Sequence, residues 1–430
     1  MIGPRGERNG GRSGGSGDVG SGVGVDVVEL AQRFIRVPSP NPGGTERAMA
    51  TTVTDAMLDL GLPFPRSFAK AADRPNLVST IDFGPGGRHL VLAGHIDTKP
   101  VGDAAWTVGP FAADVDGDRL YGLGSADMKG ALAAMLLAVA GLTAAGGPTA
   151  GRVTLAFVAD EENGAEYGAR HLCETLDLGA DAVVIGEPGG IHEDWDRLHL
   201  VSHGIARMLV TATARQGHSS LSALLGSRNA GLDAARALVA IADRTELDLP
   251  ENVHDLADWQ ATINPALRFQ GGVGYGVLPD AISAVSEVRT LPGMTKEAVH
   301  QAFRAAVDAE PALDGASIEI GFDAPNDFLP ATAVDPRHPV VAAAREASIA
   351  VLGAAPPLSA FPGTTDATWF DRAGIPTLPA LGPGLLSRCH GADERISVAA
   401  LRQSVPLYSL LAAGFCGVTE PVHREQEVSA

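Results

Sequence analysis

Residues 89–97 read HLVLAGHID, an apolar run that ends abruptly in His95, Ile96 and Asp97. The construction recurs twice. LAFVA, residues 155–159, runs into Asp160, Glu161 and Glu162, and VVIG, residues 183–186, runs into Glu187 and Pro188. Strand-like runs of this kind cover 76–81, 89–93, 153–159 and 182–185, and they alternate with helical patterns over 45–60, 131–145 and 168–176. Strands separated by helices specify an α/β fold with a mainly parallel central sheet flanked by helices. In open sheets of this type ligands bind outside the carboxyl ends of the strands. Three strands that each end in histidine or carboxylate residues therefore aim those groups at one crevice.

After about residue 201 the texture changes. Residues 207–214 alternate weakly, 281–289 have strand composition and 316–322 alternate well, while 229–242 and 295–307 are helical. This is the strand–helix–strand–strand–helix–strand order of a ferredoxin-like α+β unit. The α/β pattern then resumes with a helix over 338–352, a strand over 376–381 and a last helix over 398–413. The simplest architecture is an α/β domain built from 25–202 and 326–416, with a smaller α+β domain inserted at 203–325. Residues 1–24, ten of them glycine, read as a disordered tail, and 417–430 as a polar one.

Charge narrows the partners. The 430 residues carry 32 Lys and Arg against 51 Asp and Glu, a net −19, and only four of the cations are lysines. An acidic, lysine-poor chain argues against nucleic acid or an anionic membrane as partner. Cys173, Cys389 and Cys416 have no CxxC spacing and form no disulfide framework, which points to a reducing, cytoplasmic setting. The uncharged run 130–151 is long enough to span a bilayer, but its Gly-Gly-Pro-Thr end and the flanking Asp127 and Lys129 favour a buried helix of about 15 residues and a turn.

The strand-end residues suit a metal. His95 and Asp97 stand two apart on extended chain and share a face, so Asp97 can orient the ring nitrogen of His95 that faces away from a cation. Glu161 and Glu162 are costly neighbours unless a cation or a shared proton offsets them, and a ligating carboxylate beside a proton-handling one serves a hydrolase. Asp127 follows two glycines in YGLGSADMKG, and His390 lies in the loop GPGLLSRCHGADE. Each alone has an ordinary reading: a loop His–Asp pair, a solvated helix start, an N-cap, a loop histidine. Together, two histidines and four or five carboxylates fit a dinuclear site, Zn²⁺ first and Co²⁺ or Mn²⁺ as alternatives.

The segments GHIDTKPVG, LYGLGSADMKG, VADEENGAEYGA, VIGEPGG, SEVRTLPG, GTTDATWF and GPGLLSRCHGADE, in this order, resemble the metallohydrolase family of acetylornithine deacetylase, succinyl-diaminopimelate desuccinylase and carboxypeptidase G. The resemblance covers about residues 25–415. It implies that His95, Asp127 and Glu187 hold one metal and that Asp127 bridges to a second held by Glu162 and His390. It implies Glu161 as general base, Asp97 as the carboxylate behind His95, and His218 as a donor to the substrate carbonyl. Arg289 matches the arginine that grips the substrate carboxylate, and Asn264 a substrate-contacting asparagine. A cis peptide between Asp127 and Met128 and a homodimer formed through the inserted lid domain are implied as well. Leu123 stands where the family usually carries arginine, and the segment after His218 lacks a common proline.

The function implied is metal-dependent removal of the acyl group from an N-acyl amino acid, by water activated between two metals. A dipeptidase or carboxypeptidase with the same site is the alternative, and a non-catalytic binding protein on this scaffold is a more distant one.

Overall fold

The strand His89–His95 is buried at every residue, which explains why it reads as an unbroken apolar run: helices cover both faces of its sheet. The computed structural model describes residues 24–43, 46–325 and 327–417. Its central sheet has six strands in the order Arg66–Ala69, Pro75–Gly84, Gly151–Val158, His89–His95, Ala182–Ile185 and Thr377–Leu378. The three pairings from Gly151–Val158 to Thr377–Leu378 are parallel, and the two at the other edge are antiparallel.

Side chains alternate between two packed layers. Leu90, Leu92, Leu155 and Val184 join a core with the helices Val27–Ile35, Glu46–Asp59, Gly130–Ala144, Pro339–Leu352 and Val398–Cys416. Val91, Ala93, Ala156 and Val183 point the other way, onto Ala169–Thr175 and Ala367–Arg372. The helix Gly130–Ala144 is apolar all round because its first eleven residues, Gly130 to Ala140, are buried on every side. By length and composition 125–144 would cross a membrane, yet it lies inside this core.

The second sheet is antiparallel, in the order Thr262–Gly271, Ala281–Thr290, Gly204–Thr213 and Ser317–Phe322. With the helices Ala230–Arg244 and Lys296–Asp308 on one face, this is the ferredoxin-like arrangement. Gly204–Thr213 alternates buried and half-buried residues, as a strand covered on one side must. Sequence periodicity did not single out Thr262–Gly271, because this edge strand is largely exposed and has no apolar face to repeat. The chain enters the unit directly from the strand Leu198–Ser202 through His203, and the returning pair Phe328–Leu329 still bonds to Ile205 and Ala206. The two tails read from the sequence lie, apart from Gly24 and Gly417, outside the described residues.

Candidate metal centre

Parallel register brings the three strand ends together. His95 pairs with Val158 and Ala93 with Ile185, so the residues that follow each strand emerge at one level. After Val158 the chain turns through Asp160, at φ 63°, into the short turn Glu161–Asn163. After Ile185 comes Gly186, where a Cβ would lie 2.6 Å from the Met135 methyl and 2.9 Å from Ala131, so only glycine lets the core helix approach this closely. Asp127 arrives from the tight turn Ser125–Lys129 that opens that helix, and the Asp127–Met128 peptide is cis.

Asp127 is the middle of the cluster. Its Oδ1 lies 2.9 Å from His95 Nε2 and its Oδ2 3.0 Å from His390 Nε2. A glutamate backs each histidine: Glu187 Oε1 is 3.4 Å from His95 Nε2, and Glu162 Oε2 is 3.4 Å from His390 Nε2. Two triads form, His95 with Asp127 and Glu162, and His95 with Glu161 and Glu187, each with ligand atoms within 4.8 Å of one another.

The electrostatics call for cations. Burial, joined by the charge of Asp127, lifts Glu187 to about 7. Burial and the charge of Glu187 hold Glu161 well above the usual carboxylate range. Burial opposes protonation of His390, yet Asp127 and Glu162 push it up to about 10. Glu162 Oε1 is buried and makes no hydrogen bond. Enclosing this many carboxylates without positive charge is costly, so the residues present fit divalent metal.

Several supporting residues carry no sequence signal of their own. The Asp97 carboxylate accepts from the backbone N–H of Glu161 (3.3 Å) and Glu162 (3.1 Å) and from Asn41 Nδ2 (2.8 Å). His95 Nδ1 is closer to the Asp97 carbonyl, at 3.0 Å, than to its carboxylate, at 3.5 Å. Asp97 thus sets the paired glutamates as much as the histidine ring. Asn41 also donates to Asp160, which in turn pairs with Arg74. Asp366, inside GTTDATWF, is buried and raised by that burial. On the far side, Glu394 accepts from the backbone N–H of Ala126 (3.0 Å) and Asp127 (3.2 Å).

Burial and the nearby charge of Asp127 raise Glu394 from 4.5 to about 8. The folded chain therefore keeps this proton to higher pH than the unfolded chain, and wild-type stability falls as pH rises through that interval. Glutamine accepts the same two N–H bonds without ionising. In metal-free protein, the stability of E394Q relative to wild type should grow by about 1.4 kcal/mol per pH unit between about pH 4.5 and 8. Denaturant melts at several pH values measure this, and a pH-independent difference would refute it.

The residues of the second sheet stand apart from the cluster. His218 is exposed, and its Nδ1 accepts from Ser220. Arg289 donates through Nε to Glu287 (2.8 Å) and through Nη1 to Thr364 Oγ1 (2.9 Å), two residues from Asp366. Asn264 is exposed on the edge strand opposite Glu287, where a bulge begins. Among the described residues, no hydrogen bond or ion pair joins these three to the carboxylates.

The fold and the centre together define a metal-dependent hydrolase of amide bonds. Residues 91–413 match the model of peptidase family M20/M25/M40, and the chain belongs to that family. It is similar to a succinyl-diaminopimelate desuccinylase of Caulobacter vibrioides, 31% identical over 408 residues, covering 90% of this chain and 96% of that one. Among solved structures it resembles the M20 family metallo-carboxypeptidase Sso-CP2 of Sulfolobus solfataricus, with TM-score 0.72 and 20% identity, covering 91% and 99% of the two chains. It also resembles the Bacillus subtilis YXEP protein, described as a dinuclear metal-binding peptidase, with TM-score 0.63 and 16% identity, covering 90% of this chain and 96% of that one.

Proposed function

We propose that the protein hydrolyses an N-acyl amino acid, releasing a carboxylic acid and the free amino acid, with two divalent cations, Zn²⁺ first. The observation that carries this reading is Asp127 standing between His95 and His390, each backed by its own glutamate. His95, Asp127 and Glu187 would hold one cation, and Asp127, Glu162 and His390 the other. The desuccinylase relatives support the deacylase reading over a dipeptidase or carboxypeptidase.

Bound there, the cations supply Lewis acidity toward the carbonyl and lower the pKa of a water molecule. Glu161 accepts the proton of the attacking water and delivers it to the leaving nitrogen. Asp97 keeps Glu161 in place through its backbone N–H. His218 donates to the developing oxyanion. Arg289, with Nη2 not engaged by Glu287 or Thr364, offers donors to the substrate α-carboxylate, beside Asn264.

A screen of Zn²⁺- and Co²⁺-loaded protein against N-acetyl and N-succinyl amino acids and dipeptides, following free amine, tests the reading. Turnover of the acyl substrates that a chelator abolishes is expected; full activity after complete metal removal would sink it. The same assay probes Arg289. Amidating the substrate carboxylate should lower kcat/KM by roughly 10- to 100-fold, the worth of hydrogen bonds to a charged group. Equal turnover of acid and amide would give Arg289 another role.

We further infer a homodimer in the cytoplasm. The edge strand Thr262–Gly271 leaves Leu267 and Phe269 exposed, and Leu224, Val273 and Tyr275 of the same unit are exposed too. An unpaired edge with exposed apolar side chains suits a second copy of the chain.

A further inference from the structure

Lys99 follows the strand end in GHIDTKPVG, four residues after His95. Its ammonium grips one residue twice. Nζ donates to the Glu162 backbone carbonyl at 2.6 Å and lies 2.8 Å from Glu162 Oε2. That same Oε2 is the oxygen 3.4 Å from His390 Nε2. The other carboxylate oxygen, Oε1, is buried without a partner. Lys99 is a third exposed, whereas Glu162 is almost wholly enclosed, so the ammonium closes the Glu162 side of the centre from outside. Among the described residues, no lysine or arginine pairs with Glu187, the glutamate that backs His95. The two halves of the centre are therefore electrostatically different.

We propose that Lys99 sets the affinity of the metal position formed by Glu162 and His390, weakening it through a fixed positive charge on the ligand carboxylate. The inference rests on the ligand assignment proposed above. Two effects of removing the charge oppose each other: Glu162 loses a clamp, and an entering cation loses a repulsive neighbour. The clamp is the smaller effect, because Asp97 still holds the Glu162 backbone N–H at 3.1 Å. Repulsion between a single and a double charge a few ångströms apart is large even at the effective dielectric of a protein surface. Neutralising Lys99 should therefore tighten this position by about tenfold or more, and leave the His95–Glu187 position within about threefold of wild type.

The test titrates Zn²⁺ into chelator-stripped protein by calorimetry, with bound zinc counted by elemental analysis. Wild type, K99M, K99R and H390A are compared, with circular dichroism to verify folding. Wild type should take two equivalents and H390A should lose the one that K99M tightens. K99R, which keeps the charge, should behave as wild type. If K99M leaves both affinities unchanged, or K99R tightens binding as K99M does, the role of Lys99 is overturned while the metal sites stand. If wild type binds no zinc, or H390A still binds both equivalents at wild-type affinity, the ligand assignment fails and the inference with it. Should K99M not fold, Co²⁺ spectra of K99R against K99Q decide in the same way: identical spectra and affinities would overturn the proposal.

Discussion

Replacing Glu161 with glutamine is expected to leave metal content intact and to lower kcat by about 10²- to 10⁴-fold, the range that a positioned proton carrier supplies. Glutamine keeps the size of the side chain and the backbone bond to Asp97. It removes only the capacity to take a proton from water. Burial and the charge of Glu187 raise the proton affinity of Glu161, against the opposing pull of His95. The competing role is ligation, because Glu161 also lies within reach of the atoms of His95 and Glu187. Elemental analysis separates the two: loss of bound metal in E161Q, in proportion to lost turnover, would make Glu161 a ligand and not the base.

Mixing two inactive proteins should restore activity. H218A and E161A, each nearly dead alone, are expected to recover about a quarter of wild-type activity when co-expressed in equal amounts. His218 is exposed in the second unit, in a short strand paired with Val277–Leu278, and among the described residues its ring bonds to Ser220 of the same turn. In the homodimer proposed above, His218 would be supplied to the centre by the neighbouring copy. Random pairing makes about half the dimers mixed, and each mixed dimer holds one site with both residues intact, by two-fold symmetry. Mixed dimers verified by dual tags and still inactive would place His218 in cis.

The centre was legible because parallel strands buried on both faces are written as apolar runs, and polar residues at their ends break the run sharply. His95, Glu161, Glu162 and Glu187 are visible for that reason. Asp127 and His390 sit in glycine-rich turns and emerged from their motifs. Asn41, Arg74 and Glu394 act on backbone groups or on other side chains, and neither periodicity nor spacing records such a bond. In the second unit, Gly204–Thr213 showed its face through alternation, whereas Thr262–Gly271 did not, because solvent on the exposed edge imposes no pattern. The contact of Asp97 is the subtler case. The His-x-Asp spacing marks a shared face, but it does not show that the carboxylate is spent mostly on the backbone of the two glutamates.

The bond from Arg289 to Thr364 spans the two units of the fold. Arg289 has donors to spare, on Nη2 and on the second N–H of Nη1, so a ligand carboxylate meeting that edge of the guanidinium would leave the bond to Thr364 in place. If instead a ligand displaced the Thr364 hydroxyl, its affinity would be a difference between two bonds, and a tether between the units would be lost with it. In that case ligand occupancy and the freedom of one unit to move against the other would be thermodynamically linked, each altering the other by an equal factor.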